Sequence, residues 1–135
     1  MDLLTFHVDG TPYALPLAAV AEVVASPAVR PVPKGPAGVL GLAEAGGRVV
    51  AVLDLAFLLD EQAPASAPEH LVRLAAPHDR SALAVGSHIG TGRGTPVPGQ
   101  DSGPGFAGHV IVAGVPHILL DAAQLLARAT QSEAP

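Results

Sequence analysis

The chain has 135 residues, of which 49% are hydrophobic and 14% charged, with no cysteine and a net charge of −5 from 7 Lys and Arg against 12 Asp and Glu. That length makes one domain the default and leaves room for a real core. The acidic balance excludes the broad cationic surface that phosphate backbones need, so nucleic acid is not an expected partner; the missing cysteines exclude disulfides, thiolate metal sites and cysteine nucleophiles.

The first residues, Met1-Asp2-Leu3-Leu4-Thr5-Phe6, carry no basic flank and no long apolar stretch, so no secretory signal is expected. The longest apolar runs, 49–59 and 110–120, are interrupted by Asp54 and by Pro116 and His117, and neither approaches the roughly 20 apolar residues of a membrane helix. A soluble, cytoplasmic protein without membrane insertion is expected. The 15 Gly and 14 Pro point to many turns between short elements.

In chain order, residues 3–8 and 13–17 are strand-like and flank Asp9-Gly10, a strong hairpin signal. Pro16 places the second strand at an edge or an end. Residues 18–24 fit a short helix, with Leu17, Val20, Ala21 and Val24 on one side and Glu22 away from it. Pro27, Pro31, Pro33 and Pro36 then favour an extended crossing segment. Residues 39–45 and 49–53 form a second hairpin through Gly46-Gly47, and Asp54 is placed to cap a short helix over residues 55–58. Residues 62–68 read as a connector.

Strands are expected at 70–75 and 81–89 around a turn at Pro77-His78-Asp79-Arg80, followed by a Gly- and Pro-dense loop over 90–105. A hairpin over 106–113 and 115–120 turns at Gly114, and a terminal helix over 121–130 begins at Asp121.

Shifting the chain by 67 residues aligns Gly41 with Gly108, Gly47 with Gly114, Leu53 with Leu120, Asp54 with Asp121, Ala56 with Ala123, Leu58 with Leu125 and Leu59 with Leu126, without a gap. The matched residues are turn glycines, capping aspartates and helix-packing leucines. A half-chain is small for an independent core, so the repeat implies two small β-barrels, each closed by a short helix and sharing a hydrophobic interface. The expected class is mainly β: a single domain over 1–135, with subdomains near 12–65 and 66–120, a flanking strand at 1–11 and a terminal helix at 121–130.

The chemistry points away from catalysis. His7, His70, His78, His88, His109 and His117 show no metal-ligand spacing, so no metal and no cofactor are expected. Gly90-Thr91-Gly92-Arg93-Gly94 lacks the Lys-Ser/Thr of a phosphate loop. Ser87 and His88, read as strand neighbours, point to opposite faces and so do not form a nucleophile–base pair. Asp54 and Asp121 are structural caps before they are an acid–base couple. What remains is a binding or scaffolding protein with exposed sheet edges. A small β-barrel ligand or metal binder using the histidines is the alternative from another class.

Tyr13-Ala14-Leu15-Pro16-Leu17, Val20-x-Glu22-Val23-Val24, Val32-Pro33 with Pro36, Gly41-Leu42, and the run from Gly47 through Arg48 to Leu55 resemble, in this order, the CheW family of chemotaxis coupling proteins. Residues 108–126 are similar to that family's closing hairpin and helix, so the resemblance covers nearly the whole chain. It implies two SH3-like barrels, no catalysis, and an adaptor docking to chemoreceptors (methyl-accepting chemotaxis proteins). The kinase regulatory domain, or another CheW-like protein, would be the second partner. It implies receptor-binding roles for Val20, Glu22, Val23, Gly46 and Arg48. The family's Asn-Leu-Arg-Gly is replaced by Glu44-Ala45-Gly46-Gly47, and the arginine associated with receptor coupling is gone. This loss and the short Gly/Pro segment count against ordinary kinase coupling. An accessory array member that bridges receptors to another pathway without binding the kinase is the alternative within the family.

Overall fold

The computed structural model describes residues 1–25, 28–32, 38–59, 69–97 and 106–131, with side chains as far as 127. Ten strands dominate: β1 (Asp2–Val8), β2 (Thr11–Pro16), β3 (Val20–Ala25), β4 (Val39–Ala45), β5 (Arg48–Asp54), β6 (His70–Leu74), β7 (Ser81–Val85), β8 (Gly90–Val97), β9 (Phe106–Val112) and β10 (Val115–Leu120). A 3₁₀ turn spans Leu17–Ala19, and two helices follow β5 and β10: α1 (Leu55–Leu59) and α2 (Ala122–Gln131). The expected connector 62–68, the residues Pro27, Pro33 and Pro36, and the 98–105 part of the expected loop lie outside the described residues. No described helix is long and apolar enough to cross a membrane.

Three two-residue turns are formed as their sequences dictate. Asp9-Gly10, Gly46-Gly47 and Ala113-Gly114 all hold positive φ at both central positions (50° and 77°, 59° and 75°, 49° and 79°), the type I′ geometry whose twist matches that of the flanking strands. Both aspartate caps also form: the Phe57 N–H donates to Asp54 Oδ1 at 3.4 Å and the Gln124 N–H to Asp121 Oδ1 at 3.2 Å.

Strands β1-β2-β10-β9-β8 close into a barrel, and the other five form a sheet in the order β3-β6-β7-β5-β4. The repeat extends to the register of both. Val39↔Leu53 and Gly41↔Val52, with Leu40 bulged, recur as Phe106↔Leu120 and Gly108↔Leu119, with Ala107 bulged. The parallel pairs Ala51↔Ser81 and Ile118↔Tyr13 correspond, as do Arg73↔Ala82 and Thr5↔Ala14. The closed barrel is thus a circular permutant of the middle sheet: it starts at β8 and finishes with β1 and β2 from the opposite end of the chain. Its β8–β9 seam has its counterpart in the middle sheet at the Arg30↔Leu42 bridge.

Three expectations are corrected here. The sheets do not follow the boundaries 12–65 and 66–120: β2 belongs with the C-terminal hairpin, because its parallel partner is β10. The segment expected as a helix over 18–24 is a 3₁₀ turn and then β3, whose alternating burial and pairing with β6 override a helical pattern that β-branched Val20, Val23 and Val24 support poorly. The expected loop over 90–105 begins as β8. Its glycines serve packing: a Cβ at Gly94 would lie 2.6 Å from Leu3 Cδ1, and one at Gly92 would lie 3.0 Å from Val112 Cγ1. Only a strand without side chains there fits over the barrel interior.

The hydrophobic core has three parts. Leu3, Ala14, Val110, Val112 and Leu119 fill the closed barrel. Ala43, Ala45, Val50, Val52, Leu71, Ala82 and Ala84 fill the middle sheet's inner face, where alanines keep the strands close. The largest cluster lies between the two: Leu4, Phe6, Val8 and Leu15 meet Leu53, Val72, Leu74 and Leu83, with Leu55 and Leu58 of α1 and Leu125 of α2. This is the shared interface that the repeat implies.

Candidate functional site

Side chains alternate across a strand, so the residues that follow the middle sheet's interior positions towards the start of β5 end on its rim. Glu22 follows Val24, Arg48 precedes Val50, and Arg73 follows Leu71. There the structure builds a network. Arg73 Nε donates to Glu22 Oε1 at 2.9 Å, and Arg73 Nη1 to the Asp79 carbonyl oxygen at 3.5 Å. Arg48 Nη1 donates to Asp79 Oδ2. Glu22 and Arg73 are direct cross-strand partners. Their heads sit over Gly46, where a Cβ would lie 2.6 Å from Glu22 Oε1 and 3.1 Å from Arg73 Nη2.

Of the five residues that the resemblance singles out, Glu22, Gly46 and Arg48 therefore come together, from two segments of the chain, β3 and the β4–β5 hairpin. Val20 and Val23 do not join them. Val20 packs against the shared core, and Val23, 36% exposed, lies outside on β3 opposite Val72. Arg73 and Asp79 complete the network and escape sequence reading. Glu22 and Arg73 are 51 residues apart, and only the β3–β6 register joins them.

Two apolar surfaces adjoin this rim. On the outer side of the β4–β5 hairpin Leu42 is 41% and Val49 60% exposed, and they border a groove with Val24, Arg30 and Glu44. A second groove lies between the closed barrel and the middle sheet, lined by Pro16, Ala19, Leu74, Leu120 and Ala122.

The histidines take other places. His70 Nδ1 lies 3.0 Å from the Gly86 carbonyl oxygen and His117 Nδ1 2.9 Å from that of Val115. Among the described residues no group of three or more His, Asp or Glu side chains is disposed to hold a metal ion. The expectation that Ser87 and His88 point apart is corrected: β7 ends at Val85, His88 turns into the left-handed region (φ 61°), and Ser87 Oγ hydrogen-bonds His88 Nδ1 at 2.7 Å. The exposed His88 ring is stacked on His7, with centroids 4.3 Å apart. Burial, reinforced by His88 and His117, lowers the His7 pKa.

Burial raises the Asp54 carboxyl above its ordinary range, opposed by the amides of Phe57 and Ala56 and reinforced by Asp9. The folded state then holds the proton more tightly than the unfolded chain. Stability conferred by this group is greatest at low pH and declines as pH rises through the window between the ordinary and the raised value. Asp54→Asn keeps a good N-cap and removes the buried charge. It is expected to match or exceed the wild type in urea unfolding at pH 7, with the advantage vanishing near about pH 3. Asp54→Ala, which loses the cap, is expected to cost about 1 kcal/mol. A comparable loss for Asp54→Asn at pH 7 would contradict this account of the charge.

The comparisons agree with this architecture. The family model described as a CheW-like domain matches residues 2–130. Among solved structures, the crystal structure of scaffolding protein TtCheW from Thermoanaerobacter tengcongensis superposes with a TM-score of 0.71 at 15% identity, covering 89% of this chain and 88% of that one. The search of curated proteins gives no match. With the family model spanning nearly its full length and the two five-stranded units in place, the chain belongs to the CheW-like domain family.

Proposed function

We propose that this chain is a non-enzymatic adaptor of a bacterial chemosensory array, docking to chemoreceptors at the charged rim of the middle sheet. The observation that carries the reading is the convergence of Glu22, Gly46 and Arg48 on one network, three positions for which the family resemblance implies receptor binding. Val23 adds an apolar contact on the outer face of β3. The groove between the closed barrel and the middle sheet offers a second, apolar surface to the same partner. Neither surface brings together a nucleophile, a base and a site for a reacting atom. The proposed setting is cytoplasmic, where receptor signalling tips lie.

Kinase coupling is a separate matter. Gly46 stands where the family's receptor-associated arginine stands, and the Glu22 and Arg73 heads fill the space its side chain would need. This favours a second reading within the family: an accessory member that binds receptors and connects them to another pathway or to another CheW-like protein. A pull-down with receptor signalling tips and, separately, with the kinase regulatory domain tests both. Retention of the tips is expected, with weak or no retention of the kinase domain. Binding to neither would overturn the adaptor reading.

A further inference from the structure

The permuted repeat supplies an internal control for the charged rim. At the equivalent rim of the closed barrel, Gly90 pairs with Thr5 where Glu22 pairs with Arg73. Val115 opens β10 where Arg48 opens β5, and Ala113 occupies the turn position of Gly46. Thr11 stands where Asp79 does, each two residues before the partner of the parallel pair. None of these counterparts is charged. The Thr5 hydroxyl lies 3.3 Å from where a Cβ of Gly90 would be, and Val115 is 47% exposed. The same fold therefore closes this rim without an ion pair.

Stability does not account for the charges on the other rim either. The Arg48 side chain is 53% exposed, and exposed pairs of this kind contribute little. The Glu22–Arg73 pair is more enclosed, with side chains 34% and 16% exposed, and the desolvation of such a pair offsets much of its attraction. What the network does achieve is geometry. Asp79 takes one edge of the Arg48 guanidinium and leaves its other N–H donors facing solvent. Arg73 ties Glu22 to the Asp79 backbone, so both pairs are held as one unit across the Gly46-Gly47 turn. Arg48 and Arg73 stand here against Glu22 and Asp79. Glu44 belongs to the outer face of β4. Val49, its cross-strand partner, shares that outer face and lies away from Arg48.

We infer that Arg73 and Asp79 are positioning residues that aim Arg48 at a partner segment presenting a carboxylate. The inference rests on the docking reading above and names the chemistry its partner must show. The attraction would be screened by salt, which gives it a signature that a merely structural role lacks.

The test is the affinity of the full chain for a receptor signalling tip at low and high salt. It compares the wild type with Arg48→Val, with the double variant Glu22→Gly/Arg73→Thr, with Asp79→Asn and with the control Arg93→Ala. The first two substitutions install the residues of the twin rim. Arg48→Val and the double variant are expected to weaken binding at least about tenfold and to flatten its salt dependence, and Asp79→Asn to weaken it about threefold or more. Arg93→Ala, at an exposed pair with Asp2 on the closed barrel, is expected to bind as the wild type does. Arg48→Val and the double variant both binding within about twofold of the wild type, with an unchanged salt slope, would overturn the inference while leaving the docking reading standing. A wild type that fails to bind the tip overturns the docking reading itself. Should the double variant not fold, Arg48→Val at its exposed site carries the test alone.

Discussion

Replacing Phe6 with Ala is expected to cost about 3–5 kcal/mol and to do so in one cooperative transition that takes both sheets with it. Phe6 is fully buried and belongs to β1 of the closed barrel. The cluster it joins holds Leu53, Val72, Leu74 and Leu83 of the middle sheet, together with Leu55 and Leu58 of α1. The ring is stacked at 6.3 Å on Tyr13, so its removal also loses an aromatic contact. The separate clusters are small: five residues fill the closed barrel, and seven, four of them alanine, the inner face of the middle sheet. Neither is large enough to hold its sheet once the shared cluster is breached. Urea unfolding followed by native-state hydrogen exchange checks this: amides of β6 and of β10 should lose protection together. A variant in which the middle sheet stays protected while the closed barrel exchanges would show two independent units instead.

The second large effect is expected at Gly41. Its φ of 155° and its place next to the bulged Leu40 bring the β4 backbone against residue 30. A Cβ at Gly41 would lie 2.0 Å from the Arg30 carbonyl oxygen and 2.6 Å from its carbon. Because those atoms are backbone, no side-chain rotation relieves the clash. Gly41→Ala must open the Arg30–Leu42 bridge, whose two hydrogen bonds are each 2.8 Å long. The expected cost is about 3 kcal/mol or more. Gly47→Ala provides the comparison: φ is 75° but nothing lies within 4 Å, so only the backbone strain of about 1 kcal/mol is expected. Equal losses for the two variants in the same unfolding experiment would mean that the close approach at Gly41 is not what holds β4 in place.

How much of this was legible in the sequence follows from where each signal is stored. Asp9-Gly10 and Gly46-Gly47 specify their turns locally, and Asp54 and Asp121 cap the helices they precede, so these could be read directly. The repeat was visible for the same reason: Gly41 and Gly108 mark identical bulges, and Leu53 and Leu120 identical strand ends. β3 is ambiguous in sequence because Leu17, Val20, Ala21 and Val24 fit helical spacing while Val20, Glu22 and Val24 fit alternation, and pairing with β6 decides between them. β8 was hidden because Gly90, Gly92 and Gly94 carry no hydropathy; their role appears only when Leu3 and Val112 crowd against them. Sheet membership was out of reach, since it depends on which end of the chain supplies the first two strands of the barrel. At the site, the family resemblance points to Glu22, Gly46 and Arg48 singly. Arg73 and Asp79 became visible only through cross-strand register, although an unpaired glutamate on one strand invites a search for an arginine on the next.

In the proposed docking mode, partners meet the charged rim of the middle sheet and not its uncharged twin. Amide chemical-shift mapping of the labelled full chain, titrated with an unlabelled receptor signalling tip, tests it directly. The largest changes are expected at Glu22, Gly46, Arg48 and Arg73, with smaller ones at Val49 and Asp79. Changes centred on Thr5, Gly90, Ala113 and Val115, with the charged rim unmoved, would contradict this docking mode.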